Sequence, residues 1–155
     1  MTDTVDTATR SRIMARIRAK DTAPELALRK ALFACGLRYR LHRATLPGTP
    51  DLVLPGHRAV VFVHGCQWHW HGCSRCRMPA SNVEYWRAKI ARNQERDRSQ
   101  IAELRALGWR VLVVWECALK SRTLDATANR AARWLRSGRG AFQAIPPSAG
   151  RESSI

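Results

Sequence analysis

Apolar residues recur along the chain at two spacings, and the switch between them marks out its elements. From Thr9 to Lys20, Ile13, Met14 and Ile17 stand at helical spacing among four arginines and a lysine, which predicts a basic amphipathic helix or an arm that becomes one on a partner. Thr22-Ala-Pro-Glu25 is a helix start, with Thr as cap, Pro in the first turn and Glu three residues on; Leu28, Leu32 and Cys35 continue it and Gly36 ends it. The spacing then drops to two at Tyr39-Arg-Leu41. After the turn-rich Leu46-Pro-Gly-Thr-Pro50, the apolar runs Asp51-Leu-Val-Leu54 and Ala59 to Val63, joined through Pro55-Gly56, predict a hairpin of buried strands. Residues 64–80 follow no regular period. Ser81-Asn-Val-Glu84 reads as a capping box that opens a long helix ending at Gly108. Arg110 to Trp115 is a third buried strand, and Thr123 caps a last amphipathic helix through Ala126, Ala131, Trp134 and Leu135 to Gly138.

The order is therefore α, α, β, β, β, α, β, α, which implies an α/β fold: a single domain with a mixed central sheet flanked by helices. Residues 1–20 are expected to form a basic arm or helix and 21–137 the folded domain. The Gly/Ser/Pro/Arg-rich stretch 138–155 is expected to be a disordered tail.

Charge narrows the partners. Lys and Arg number 27 against 12 acids, a net charge of +15 on 155 residues. Self-repulsion on that scale points to a polyanion, and the excess is mostly Arg, which suits bidentate phosphate and guanine contacts. The longest apolar run, Ala59 to Val63, is too short to span a membrane, and Met1 to Asp6 carry no secretory n- or h-region. A cytoplasmic protein without a membrane partner is expected. Its 5 cysteines then read as metal ligands or buried thiols before disulfides.

The irregular segment holds the densest chemistry. His64-Gly-Cys-Gln-Trp-His-Trp-His-Gly-Cys-Ser-Arg-Cys76 packs three His and three Cys together, the ligands that tetrahedral zinc prefers. Cys117, just past the third strand, can supply a remote ligand. Spacing alone favours Cys73-x-x-Cys76 as a knuckle with Cys66 and Cys117. A zinc deaminase is excluded, because Cys73 follows Gly72 and His69 lacks the downstream Glu of that motif.

Two carboxylates accompany this cluster. Asp51 stands where a turn enters a buried strand whose hairpin partner runs into His64, so Asp51 and the Val63/His64 backbone are expected at one sheet end. A carboxylate with a main-chain carbonyl suits Mg²⁺. In the long helix Trp86, Ile90, Asn93, Asp97, Ile101 and Leu104 share one face, so Asp97 interrupts a core stripe and needs a partner, for which a histidine is the candidate. His64 and His69 need not both bind zinc, and a free imidazole beside a hydrated cation can accept a proton. For Glu25 the residues alone give only a capping role. Of the 6 tryptophans, Trp68, Trp70 and Trp86 lie in or beside the metal loop among arginines and suit insertion between bases or coverage of the metal.

Taken together, Pro50-Asp51, His64-Gly-Cys-x-Trp-His69, His71, Cys73, Asn93-x-Glu-Arg-Asp97 and Gly108-Trp-Arg-Val-Leu-Val-Val-Trp-Glu-Cys117 resemble the very short patch repair (Vsr) endonucleases. Ala8-Thr-Arg-Ser11 and Asp21-Thr22 agree with the opening of that family, and the likeness spans roughly residues 8–137. The resemblance implies a fold like that of type II restriction endonucleases. It implies Mg²⁺-dependent nicking of double-stranded DNA 5′ to the thymine of a T:G mismatch left by 5-methylcytosine deamination, by a monomer acting at the nucleoid. By residue it implies Asp51 and the Val63 carbonyl as magnesium ligands, His69 as general base supported by Glu25, and His64 paired with Asp97. It also implies structural zinc on Cys66, His71, Cys73 and Cys117, with Met14 and Ile17 wedging from the minor groove and Trp68 and Trp86 from the major groove. The chain departs from the family at Gln67, where an aromatic is usual and where an amide could hydrogen-bond a displaced base. It also carries the extra thiol Cys76, and no Asp…(Asp/Glu)-x-Lys motif follows the second strand. A zinc-stabilised nucleic-acid-binding module without catalysis and a nuclease cutting fully paired DNA are the alternative readings.

Overall fold

The computed structural model describes Asp6, Ala8 and residues 21–146. Met14, Ile17 and nearly all of the expected arm lie outside the described residues, as does the chain beyond 146.

Five strands form one sheet in the order β1 (Arg40–Leu41), β2 (Leu52–Leu54), β3 (Ala59–His64), β4 (Arg110–Trp115), β5 (Phe142–Ile145). β2 runs antiparallel to both β1 and β3, while β4 lies parallel to β3 and β5 parallel to β4. The expected hairpin is the β2–β3 pair, closed by a short 3₁₀ turn at Pro55–His57. A parallel pair requires a long crossover. Between β3 and β4 it holds α2 (Cys66–His69) and α3 (Val83–Ala106), and between β4 and β5 it holds α4 (Leu124–Ser137).

The two-residue period of the strands separates two cores. Leu52, Leu54, Val61, Leu112 and Val114 meet Leu28 and Leu32 of α1 (Ala23–Ala34) and Ala131, Ala132 and Leu135 of α4. Val53, Val60, Phe62, Val111 and Val113 face the other way, onto Ile101 and Leu104 of α3. Both faces are covered, which is why the strands read as unbroken apolar runs. No helix among the described residues is long and apolar enough to cross a membrane.

Three local expectations are corrected and a fourth is met in part. Residues from 138 do not all form a tail: Phe142–Ile145 pairs with β4, and Ile145 is buried. An uncovered β4 would present a row of unpaired backbone groups, and this four-residue segment satisfies them. The Arg110 guanidinium secures the approach by donating to the carbonyls of Trp134, Leu135, Arg139 and Gly140. The loop 64–80 contains the one-turn helix α2. Ser81 does not cap α3; Asn82 occupies the cap in the left-handed region (φ 55) with no side-chain cap bond. Thr123 occupies the N-cap of α4 as expected, but it makes no side-chain cap bond, because its hydroxyl donates to the Ala118 carbonyl. At α1, by contrast, the Glu25 amide donates to the Thr22 hydroxyl as expected.

Candidate active site and metal centre

β2 begins just after Asp51 and its neighbour β3 ends at His64, so the hairpin brings both to one end of the sheet. Leu52 registers with Val61, which leaves Val63 beyond the last β2 partner. The Asp51 carboxylate takes the vacated place, and the Val63 N–H donates to its Oδ2 at 2.7 Å. In an extended strand one residue's N–H and C=O point to the same side. The Val63 carbonyl therefore also faces the Asp51 flank. Asp51, Val63, His64, His69 and Asp97 line one open cleft of about 1100 Å³, together with Glu25 and His42.

Burial pushes the Asp51 carboxyl up to about 7; the Val63 amide opposes that shift, and the neighbouring Glu25 carboxylate adds to it. Across the cleft His69, the last residue of α2, points Nδ1 at Asp97 Oδ2, 2.6 Å away. Burial, the largest single influence, would raise the Asp97 carboxyl, but the bond to His69 together with the charges of His69, His64 and Arg96 outweighs it and the net shift is downward. His64 stacks on the His69 ring with centroids 3.9 Å apart and planes 6° from parallel. Burial first, and then repulsion from His69, holds His64 down to about 3, so it carries no charge near neutral pH.

A second constellation lies on the far side of Trp115. Ligand atoms of Cys66, His71, Cys73 and Cys117 all fall within 4.8 Å of one another. His71 Nε2 is 3.3 Å from Cys66 Sγ and 3.5 Å from Cys117 Sγ. Bonds of about 2.0 Å to nitrogen and 2.3 Å to sulfur around a tetrahedral ion imply N···S edges of roughly 3.5 Å. The donor set thus fits one metal ion. Cys76 stands outside it, because its thiol donates to the Cys66 carbonyl at 3.1 Å. The Cys73/Cys76 knuckle favoured by spacing is not the set that the fold gathers. His71 stacks on Trp115 at 4.0 Å, and His64 meets the same indole edge-on at 5.2 Å, so one ring walls both sites.

Trp68, which lines the cleft, lies beside Trp86, with centroids 5.9 Å apart and Lys89 Nζ over both rings. α3 ties down the loop that carries Trp68: Asn93 donates to the Trp68 carbonyl and Gln94 to the Trp70 carbonyl.

A family model described as DNA mismatch endonuclease Vsr matches residues 2–75. The chain is 47% identical over 138 residues to the DNA mismatch endonuclease Vsr of Escherichia coli (strain K12), covering 87% of this chain and 88% of that one. The chain belongs to the Vsr family. It is also 50% identical over 119 residues to the type II nicking enzyme V.XorIIP of Xanthomonas oryzae pv. oryzae, covering 77% of this chain and 88% of that one. Among solved structures, the catalytic domain of the homing endonuclease I-Bth0305I matches with a TM-score of 0.51 at 19% identity, over 77% of this chain and 100% of that chain. That likeness concerns the fold.

His64, His69 and Asp97, which the Vsr resemblance puts in one active site, bring ligand atoms within 4.8 Å of one another, and their hydrogen bonds are specific. Asp97 bonds His69, not His64, because one turn of α2 carries His69 down onto α3 while His64 stays at the strand end. Glu25 lies on the Asp51 flank, where it accepts from Arg29 Nη2 (3.1 Å) and from the Asp21 amide (3.0 Å). The Gln67 amide is not free for a base: it donates to the Arg77 carbonyl (2.7 Å) and accepts from the Arg77 N–H (3.0 Å), which closes the metal loop. Sequence reasoning missed His42 and Arg29. The one signal for Arg29 was a cation one residue after Leu28, on the buried face of α1; nothing in the local pattern singled out His42.

Proposed function

We propose that this Vsr-family protein nicks double-stranded DNA 5′ to the thymine of a T:G mismatch arising from 5-methylcytosine deamination. The observation that carries the reading is the convergence of Asp51, the Val63 backbone and the His69–Asp97 pair on one cleft. Asp51 and the Val63 carbonyl form a hard-oxygen pair open to solvent on one side, which suits an ion that keeps most of its water, and Mg²⁺ is that ion. Bound there, Mg²⁺ would stabilise the charge that builds on the scissile phosphate.

The remaining work falls to side chains. With Nδ1–H donated to Asp97, His69 keeps its lone pair on Nε2 and accepts the proton of the attacking water. Water oxygen bonds to phosphorus as the P–O bond to the leaving sugar breaks. Asp97 holds the ring in that tautomer and stabilises the imidazolium that forms. His64, uncharged and buried, packs the His69 ring from behind and leaves the proton role to it. Trp68 and Trp86 present aromatic faces that suit insertion at a weakened base step, and the Lys89 ammonium over them suits the phosphate backbone. Cys66, His71, Cys73 and Cys117 hold a structural Zn²⁺, since four protein ligands leave no open position for chemistry. The protein is read as a monomer acting at the nucleoid in the cytoplasm.

Nicking of matched duplexes that differ only in T:G or C:G, with Mg²⁺ or EDTA, tests this reading. Mg²⁺-dependent nicking confined to T:G is the expected result. Equal cutting of both duplexes would favour a nuclease for paired DNA. Tight binding with no nick at any Mg²⁺ concentration would leave a zinc-bearing binder.

A further inference from the structure

No step proposed for hydrolysis uses the guanidinium of Arg29, which is 9% exposed on the Asp51 flank. Its Nη2 lies 2.7 Å from Asp21 Oδ1, 3.1 Å from Glu25 Oε2 and 2.8 Å from His42 Nε2. Its Nε has no partner among the described residues. Buried ion networks with unsatisfied donors are seldom worth more to stability than apolar side chains of the same volume. The network is better explained by what it orients.

Arginine can only donate. His42 Nε2 also stands 3.3 Å from Asp21 Oδ1 and 3.7 Å from Glu25 Oε2, but the Arg29 contact is the shortest, and two donors facing each other at 2.8 Å repel, so Nε2 is the acceptor and the ring's N–H is on Nδ1. That nitrogen faces Asp51 Oδ1 at 3.9 Å. The other carboxylate oxygen, Oδ2, already receives the Val63 amide. His42 is fixed from its own backbone as well. Its φ of 43 lies in the left-handed region, which is costly for a residue other than glycine, and its N–H reaches the Asp51 carbonyl at 3.4 Å. Strain of this kind collects where a side chain must be aimed.

We propose that Arg29 and His42 are a positioning pair: Arg29 selects the His42 tautomer whose Nδ1–H is aimed at Asp51 Oδ1, and this orients the Asp51 carboxylate for its divalent cation. The inference rests on Asp51 being that cation's ligand. Polar partners standing behind a metal ligand typically govern about 10- to 100-fold in metal affinity or activity.

The test is the Mg²⁺ midpoint of the whole chain, read both from the Mg²⁺-dependent rise in Tm of the protein alone and from half-maximal nicking of a T:G duplex, and measured beside the rate at saturating Mg²⁺. His42→Leu removes acceptor and donor together and should raise that midpoint about tenfold. His42→Gln can accept from Arg29 and donate toward Asp51, so its midpoint should stay within about twofold of the unmodified protein. Arg29→Met should raise the midpoint as His42→Leu does, and the double variant should add little more, since the two act as one unit. A merely structural role would lower the active fraction at every Mg²⁺ concentration and leave the midpoint in place. His42→Ala, which crowds nothing, gives a second reading should the Leu variant fold poorly. An unmoved midpoint in His42→Leu and His42→Ala, or a Gln variant as impaired as Leu, would overturn the proposal. Asp51→Ala separates the premises: full nicking by that variant removes the cation assignment itself, whereas an inactive Asp51→Ala beside an unmoved His42→Leu removes only the pair.

Discussion

Two metal-competent sites share the same end of the β3–β4 pair and the same Trp115 wall, yet they are built on opposite terms. In the Cys66/His71/Cys73/Cys117 centre, soft donors close on one another from four directions. In the cleft, Asp51 brings one carboxylate to an open cavity lined also by His42, His64 and His69. A closed set of four makes a structural site, whereas catalysis needs an open position and water. Only one residue, Gly65, separates His64 from Cys66, so the division rests on strand geometry. His64 ends β3 and faces the cleft, while Cys66 opens α2 and turns beneath the sheet.

Substitutions on the two sides should therefore fail differently. Asp51→Ala should lower the nicking rate by about 10³-fold or more, the several kcal/mol that a bound cation contributes, with zinc content unchanged by atomic absorption. Asp97→Asn should cost about 10²-fold or more at saturating Mg²⁺, because an amide can favour the wrong His69 tautomer; a rate near that of the unmodified protein would remove His69 from the proton step. Cys117→Ser should strip the zinc and lower Tm by about 10 °C or more, a folding loss with a secondary loss of rate. Cys76→Ser, by contrast, should keep about one zinc per chain. Retained zinc in Cys117→Ser would reassign the fourth ligand.

The smallest effect is a pH effect, and its sign distinguishes the cleft from the closed centre. The folded protein holds the Asp51 proton to about 7, against an ordinary carboxyl value of 3.8. Between those values the folded state binds more protons than the unfolded one, so without a divalent cation stability falls as pH rises through this window. Below it the penalty is absent; above about 7 it is complete. Asp51→Asn should remove it and raise Tm in EDTA at pH 8 by a few degrees, an amount on the order of 1 kcal/mol or more. The nicking rate at low Mg²⁺ should climb with pH toward 7, and more Mg²⁺ should move that limb to lower pH. A limb that ignores Mg²⁺ would mean that another group titrates.

The α/β class, the β2–β3 hairpin, the helix start at Thr22 and the α3 stripe that carries Asp97 inward were all legible, because each is written in a short period. So was the density of Cys and His in one loop. The cap at Ser81 was misread, and Thr123 holds its cap position without a side-chain cap bond. Such a bond needs an extended backbone, and the approach of the chain puts Asn82 at φ 55 and Thr123 in the helical region. β5 was missed because its four residues follow a stretch rich in Gly, Ser and Arg, and only the open edge of β4 makes a strand of them.

By itself, the order of residues determined which side chains could do chemistry here and on which elements they ride, since periodicity and ligand type are local properties. Only the tertiary structure decided the pairings: His69 with Asp97, Glu25 with Arg29, His71 with two thiols, and His42 beside Asp51. Apart from Glu25 with Arg29, an i,i+4 pair within α1, each joins different elements across the cleft or the metal loop, and such distances depend on how strands register and helices cross. No spacing along the chain encodes those.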